Sequence, residues 1–171
     1  MINRYIFDLD NTLIYTNILN NYSYNYALQL QGIAPILDCK RITRKIVYIK
    51  YPHLNNMLKD KIIELKQEFF IKNIQDTKPN EPLLKFLKSQ NADYCVLWTS
   101  ADKARVQALL EYYKISDDFM KILFSKKSNV LQDVDSICEL FSCKSEQLVF
   151  YEDNWEAIKK LQELNIRVIS V

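Results

Sequence analysis

The heptapeptide DYCVLWT (93–99) is the most constraining stretch of this chain. It is an almost unbroken apolar run that ends in a hydroxyl. Half-buried strands alternate polar and apolar residues, whereas a run like this one suits a strand covered on both faces of a parallel sheet. A parallel neighbour needs a crossover of a dozen or more residues, usually a helix. The rest of the C-terminal half supplies such units. A helix is expected from about 101 to 113, KILF (121–124) reads as a strand, and 130–141 as an amphipathic helix. QLVFY (147–151) reads as a strand, Trp155, Ile158, Leu161 and Leu164 line a helix, and RVISV (167–171) closes the series. Upstream, RYIFDL (4–9) is another buried strand, and Asn80-Glu-Pro82 opens a short helix with Asn80 as its cap. The order is therefore α/β with right-handed crossovers.

Between the first strand and that series the pattern is helical throughout. Ile18, Leu19, Tyr22, Tyr26 and Leu30 recur at helical spacing before Gly32. Ile42, Ile46, Val47 and Ile49 mark a second helix stopped by Pro52, and Leu54 to Phe69 a third. We expect a core formed by 1–15 and 79–171 and a helical insert at 16–78.

Composition excludes several functions. Gly32 is the only glycine, which removes every glycine-rich nucleotide loop and forces turns to use Asn or strained backbone. With 23 basic and 21 acidic residues the formal charge is +2, so nothing favours nucleic-acid binding. No apolar run reaches membrane-spanning length, and MINRYIFDLDN places acids in its first apolar stretch, unlike a secretion signal. Cys39, Cys95, Cys138 and Cys143 lack zinc-site spacing and read as free thiols. A cytoplasmic protein is expected; its oligomeric state is open.

In open α/β sheets, sites form outside the carboxyl ends of the strands. The first strand delivers Asp8, Asp10, Asn11 and Thr12 there, the second Thr99 and Ser100, the third Ser125, Lys126 and Lys127, and the fourth Glu152, Asp153 and Asn154. Acids converging with a lysine and hydroxyls suit a divalent cation and a phosphoryl group.

These segments resemble the motifs of the haloacid dehalogenase superfamily of phosphotransferases. FDLDNTL (7–13) is similar to its DxDxT motif, VLWTS (96–100) to its second, Lys126 or Lys127 to its third, and VFYED (149–153) to its fourth. The resemblance implies a Rossmann-like three-layer core with a parallel sheet, and an α-helical cap at 16–78. It implies Mg²⁺-dependent hydrolysis of a small phosphorylated metabolite, with nucleotides a first test, through a phospho-aspartate. Asp8 would be the nucleophile and Asp10 the acid that protonates the leaving group and later activates water. Thr12 and Asn11 would support the turn. Thr99 and Ser100 would bind phosphoryl oxygens, and the lysine would neutralise charge on them and on Asp8. Mg²⁺ would take Asp8, the Asp10 carbonyl and Asp153. Two positions depart from the family. Glu152 stands where Gly or Asp is usual and is a supporting acid, behind the metal or on it through water. The lysine precedes Ser128 rather than Pro, and spacing to Asp153 favours Lys127. Rival readings are a phosphatase of phosphoproteins or nucleic-acid ends, and an inactive binding module on the same fold.

Overall fold

The computed structural model describes residues 2–171. The chain divides into two compact units, one built from the residues up to Tyr15 together with Pro79–Val171, the other from Thr16–Lys78.

The first unit is built on a five-stranded parallel sheet, as expected. Its strands are β1 (Arg4–Phe7), β4 (Cys95–Thr99), β5 (Lys121–Phe124), β6 (Leu148–Glu152) and β7 (Arg167–Ser170), in the spatial order β5-β4-β1-β6-β7. Connecting helices are α4 (Glu81–Lys88), α5 (Lys103–Tyr113), α6 (Val130–Phe141) and α7 (Trp155–Glu163). All five residues of β4 are buried, which is why no polar residue interrupts it. Side chains alternate across the sheet. Ile6, Val96, Trp98, Leu148 and Phe150 pack with Val130, Val134 and Ile137 of α6 and Ala157 and Leu161 of α7. On the other face Phe7 and its register partner Tyr151 stack at 4.9 Å, and Phe86 of α4 lies 5.2 Å from Tyr5 and 5.6 Å from Tyr151.

The scarcity of glycine shows at the turns. Lys114 ends α5 and Ser142 ends α6 in left-handed conformation, where glycine is the usual residue. Asn11, Lys127 and Asn165 also have positive φ.

One local expectation needs correction. Asn80 makes no side-chain cap for α4. Its Nδ2 donates to the Thr12 carbonyl at 2.9 Å and its backbone N–H to the Leu13 carbonyl at 2.8 Å, so it ties α4 to the turn after β1. The chain also forms a two-stranded ribbon of β2 (Ile14–Tyr15) and β3 (Lys78–Pro79), which no sequence pattern announces.

The second unit contains α1 (Asn17–Leu30), α2 (Arg44–Lys50) and α3 (Asn56–Lys72). Tyr24, Ala27, Leu28, Val47 and Ile62 fill its core with Ile36, Ile42 and Leu54 from the connecting loops. Asparagines of α1 hold the irregular 36–42 segment. Asn25 pairs with both backbone groups of Ile36, and Asn20 and Asn21 bond the Ile42 carbonyl and amide. Of the tyrosines at 22–26, Tyr24 is buried while Tyr22 and Tyr26 are exposed. Lys66 is buried too, its ammonium 5.2 Å from the ring centres of Tyr24 and Phe70.

Candidate active site

The turn after β1 is built by its own backbone. Asp8 N–H still donates to the Tyr151 carbonyl at 3.0 Å, which extends the β1–β6 ladder by one residue and fixes the Asp8 Cα. The chain then reverses. Leu13 and Ile14 both donate to the Leu9 carbonyl, and Asn11, in left-handed conformation, donates to the Ile14 carbonyl at 2.6 Å. Asn11 serves where glycine would be usual, because its short polar side chain tolerates that region. Thr12 is wholly buried, but its hydroxyl makes no hydrogen bond among the described residues; the turn is tied through the Thr12 carbonyl to Asn80 instead.

The carboxylates of Asp8, Glu152 and Asp153 lie with their oxygens within 4.8 Å of one another. Asp8 and Glu152 are buried and Asp153 is half-buried. Lys127 reaches into this group: its Nζ donates to Asp8 Oδ1 at 2.6 Å and to Glu152 Oε2 at 2.5 Å. Lys126, its neighbour, is exposed. Burial alone would lower the Lys127 ammonium, but the charges of Asp8 and Glu152 and the bonds to them outweigh it and hold the group above its ordinary value. Glu152 moves the other way from a normal carboxylate. Burial first, then the negative charge of Asp8, push it up to about 7 despite Lys127 and the Asn154 amide at 2.9 Å.

This donor set fits a hard divalent cation. It consists of carboxylate oxygens only, which suits Mg²⁺ or Ca²⁺ and not a soft metal. Three carboxyl groups share one ammonium, and the raised Glu152 marks crowding that a cation would relieve.

The Asp10 side chain points to a different partner. Its Oδ2 forms an ion pair with Arg105 of α5, and both residues are buried. Sequence reading missed Arg105, because an arginine inside a helix carries no mark of a partner 95 residues away. Thr99 is buried at the end of β4 and its Oγ1 accepts from Ala101 N–H at 3.1 Å, which leaves the hydroxyl proton for another acceptor. Ser100 is exposed at the same strand end.

Known proteins share this fold. The model of the haloacid dehalogenase-like hydrolases matches residues 5–171. No curated protein matches the sequence significantly. Among solved structures, the fold is similar to that of a predicted phosphoglycolate phosphatase from Haemophilus somnus, with TM-score 0.83 and 16% identity over 99% of this chain and 84% of that one. It is similar to a HAD hydrolase of family IA, variant 3, from Entamoeba histolytica, with TM-score 0.76 and 17% identity over 99% and 84%. A haloacid dehalogenase-like hydrolase from Streptococcus pneumoniae gives 0.72 and 16% over the same shares. With the family model spanning nearly all of its length, this chain belongs to the haloacid dehalogenase-like hydrolase family.

Proposed function

We propose that the protein is a Mg²⁺-dependent phosphomonoester hydrolase that works through a phosphorylated Asp8. The observation that carries this reading is the single cluster in which Asp8 meets the Lys127 ammonium and two further acids, Glu152 and Asp153. A buried carboxylate beside a cationic partner stays ionised and can attack phosphorus.

Magnesium held by Asp8, Asp153 and the Asp10 carbonyl, with Glu152 beside them, would supply positive charge against the phosphoryl oxygens. The protein's own groups do the remaining work. An Asp8 oxygen forms a bond to phosphorus as the bond to the leaving oxygen breaks, and Asp10 gives that oxygen a proton. Asp10 then takes a proton from water as the water oxygen bonds to phosphorus and Asp8 is released. Arg105 holds the ionised Asp10 carboxylate, the form that takes the proton from water. Lys127 and the Thr99 hydroxyl, with Ser100 at the same strand end, bind the phosphoryl oxygens.

The substrate we favour is a small phosphorylated metabolite. Phosphatases are among the proteins with similar folds, one of them a predicted phosphoglycolate phosphatase. Substrate choice is assigned to the helical insert at 16–78. No described helix is long and apolar enough to cross a membrane, and all four cysteines are free thiols, which fits a protein working in the cytoplasm.

Phosphate release from p-nitrophenyl phosphate and a panel of phosphometabolites, with Mg²⁺ and with EDTA, tests the reading. Turnover that needs Mg²⁺ and vanishes in Asp8→Asn supports it. Turnover by Asp8→Asn, or turnover only on phosphopeptides, would overturn it.

A further inference from the structure

We propose that Trp98, Ser125 and Asp133 form a brace that sets the position of Lys127, and are thus positioning residues for phosphoryl transfer. The inference rests on the phosphatase reading for its consequence, but on independent geometry for its existence.

The brace starts at α6. Asp133 Oδ2 accepts the Trp98 indole N–H at 3.1 Å and the Ser125 hydroxyl at 2.5 Å. The Ser125 proton is thereby committed to Asp133, so its oxygen is oriented to accept, and it accepts the Lys127 backbone N–H at 2.9 Å. Ser125 is itself anchored, since its own N–H donates to the Thr99 carbonyl at 2.9 Å as an extension of the β4–β5 ladder. The chain of bonds thus runs from a helix through a serine hydroxyl to the main chain of the lysine.

The lysine needs such support. Its φ is +56°, a left-handed conformation in which a non-glycine residue is strained. Its side chain has four flexible bonds and rotamer entropy to lose on being fixed. The left-handed turn directs the side chain back across the fully buried Trp98 ring, with Nζ 4.3 Å from the ring centre. A cation over an indole face is attracted to it. Trp98 is held in turn by Asp133 and by the ring of Phe150, which meets it edge-on at 5.4 Å. One carboxylate therefore fixes both the ring under the ammonium and the backbone from which the side chain leaves. From there Nζ reaches Asp8 and Glu152.

The bland reading is that Asp133 only satisfies a buried indole N–H. That reading leaves unexplained why the same oxygen also takes the Ser125 hydroxyl, and why that hydroxyl goes on to bind the lysine amide.

The test uses the full chain with Trp155→Phe, so that Trp98 is the one remaining tryptophan and its emission reports the ammonium over its ring. Lys127→Met defines the spectrum without the ammonium. Ser125→Ala, which leaves the indole's own partner in place, should shift the emission toward that spectrum, and Ser125→Thr should restore it; Asp133→Asn changes that partner and is read by kcat alone. Ser125→Ala and Asp133→Asn should both lower kcat on p-nitrophenyl phosphate by up to about 10²-fold with little change in KM, again with recovery in Ser125→Thr. If Ser125→Ala keeps the parental emission, the brace is wrong whatever the activity. If it shifts the emission while the parent protein hydrolyses no phosphomonoester, the brace stands and the phosphatase reading falls. Shifted emission with unchanged kcat in an active enzyme would overturn the positioning role.

Discussion

Replacing Glu152 by glutamine keeps the shape of the side chain and removes its charge. Glu152 is 1% exposed, and burial followed by the charge of Asp8 raises its carboxyl from 4.5 to about 7. The folded protein therefore binds this proton more tightly than the unfolded chain. The resulting stability is complete below about pH 4.5, declines as the pH rises through the window up to about 7, and is absent above it. A tenfold difference in proton affinity is worth ~1.4 kcal/mol, so the whole window corresponds to about 3 kcal/mol. Urea unfolding in EDTA, followed by tryptophan emission, should show the wild type losing roughly that much more than Glu152→Gln between about pH 4.5 and pH 8. Mg²⁺ at the higher pH should stabilise the wild type more than the variant, because a cation favours the charged carboxylate. Parallel pH profiles for the two proteins in EDTA would refute the argument that Glu152 is a crowded acid awaiting a cation.

Three further outcomes are expected. Arg105→Ala removes one partner of a buried ion pair and should destabilise the protein by about 3–5 kcal/mol in denaturant, with Arg105→Lys recovering only part because it lacks the planar fork. Asp10→Asn should slow alkyl phosphates far more than p-nitrophenyl phosphate, whose leaving group needs little protonation; equal losses on both would deny Asp10 the acid role. Phe150→Ala empties a fully buried site against Trp98 and should cost about 3–5 kcal/mol by urea unfolding.

Much of the core was legible in the sequence because interior parallel strands leave so plain a trace. The runs DYCVLWT (93–99) and QLVFY (147–151) end at polar residues, Thr99 and Glu152, and the strands Cys95–Thr99 and Leu148–Glu152 lie within a residue or two of them. What stayed hidden depends on contacts distant in sequence. Spacing to Asp153 favours Lys127 over Lys126, but the left-handed backbone of Lys127 and its place across Trp98 leave no mark in a residue type that rarely adopts that conformation. Asn80 before Glu-Pro carries a capping signature, yet bonds to Thr12 and Leu13 outcompete the local one. Asp10 looked like a free strand-end acid until α5 brought Arg105 against it. The two-residue strands β2 and β3 are too short for any periodicity to reveal.

The most direct test of the account asks where the phosphoryl group goes. Protein quenched during turnover of a phosphomonoester with Mg²⁺ can be treated with borohydride, which reduces an aspartyl phosphate to homoserine, and the peptide carrying residues 4–15 read by mass spectrometry. The account predicts homoserine at position 8, with Asp10 unmodified, and no conversion in EDTA or in Asp8→Asn. Sustained hydrolysis with position 8 still aspartate, or homoserine at Asp10 or Asp153 instead, would contradict it.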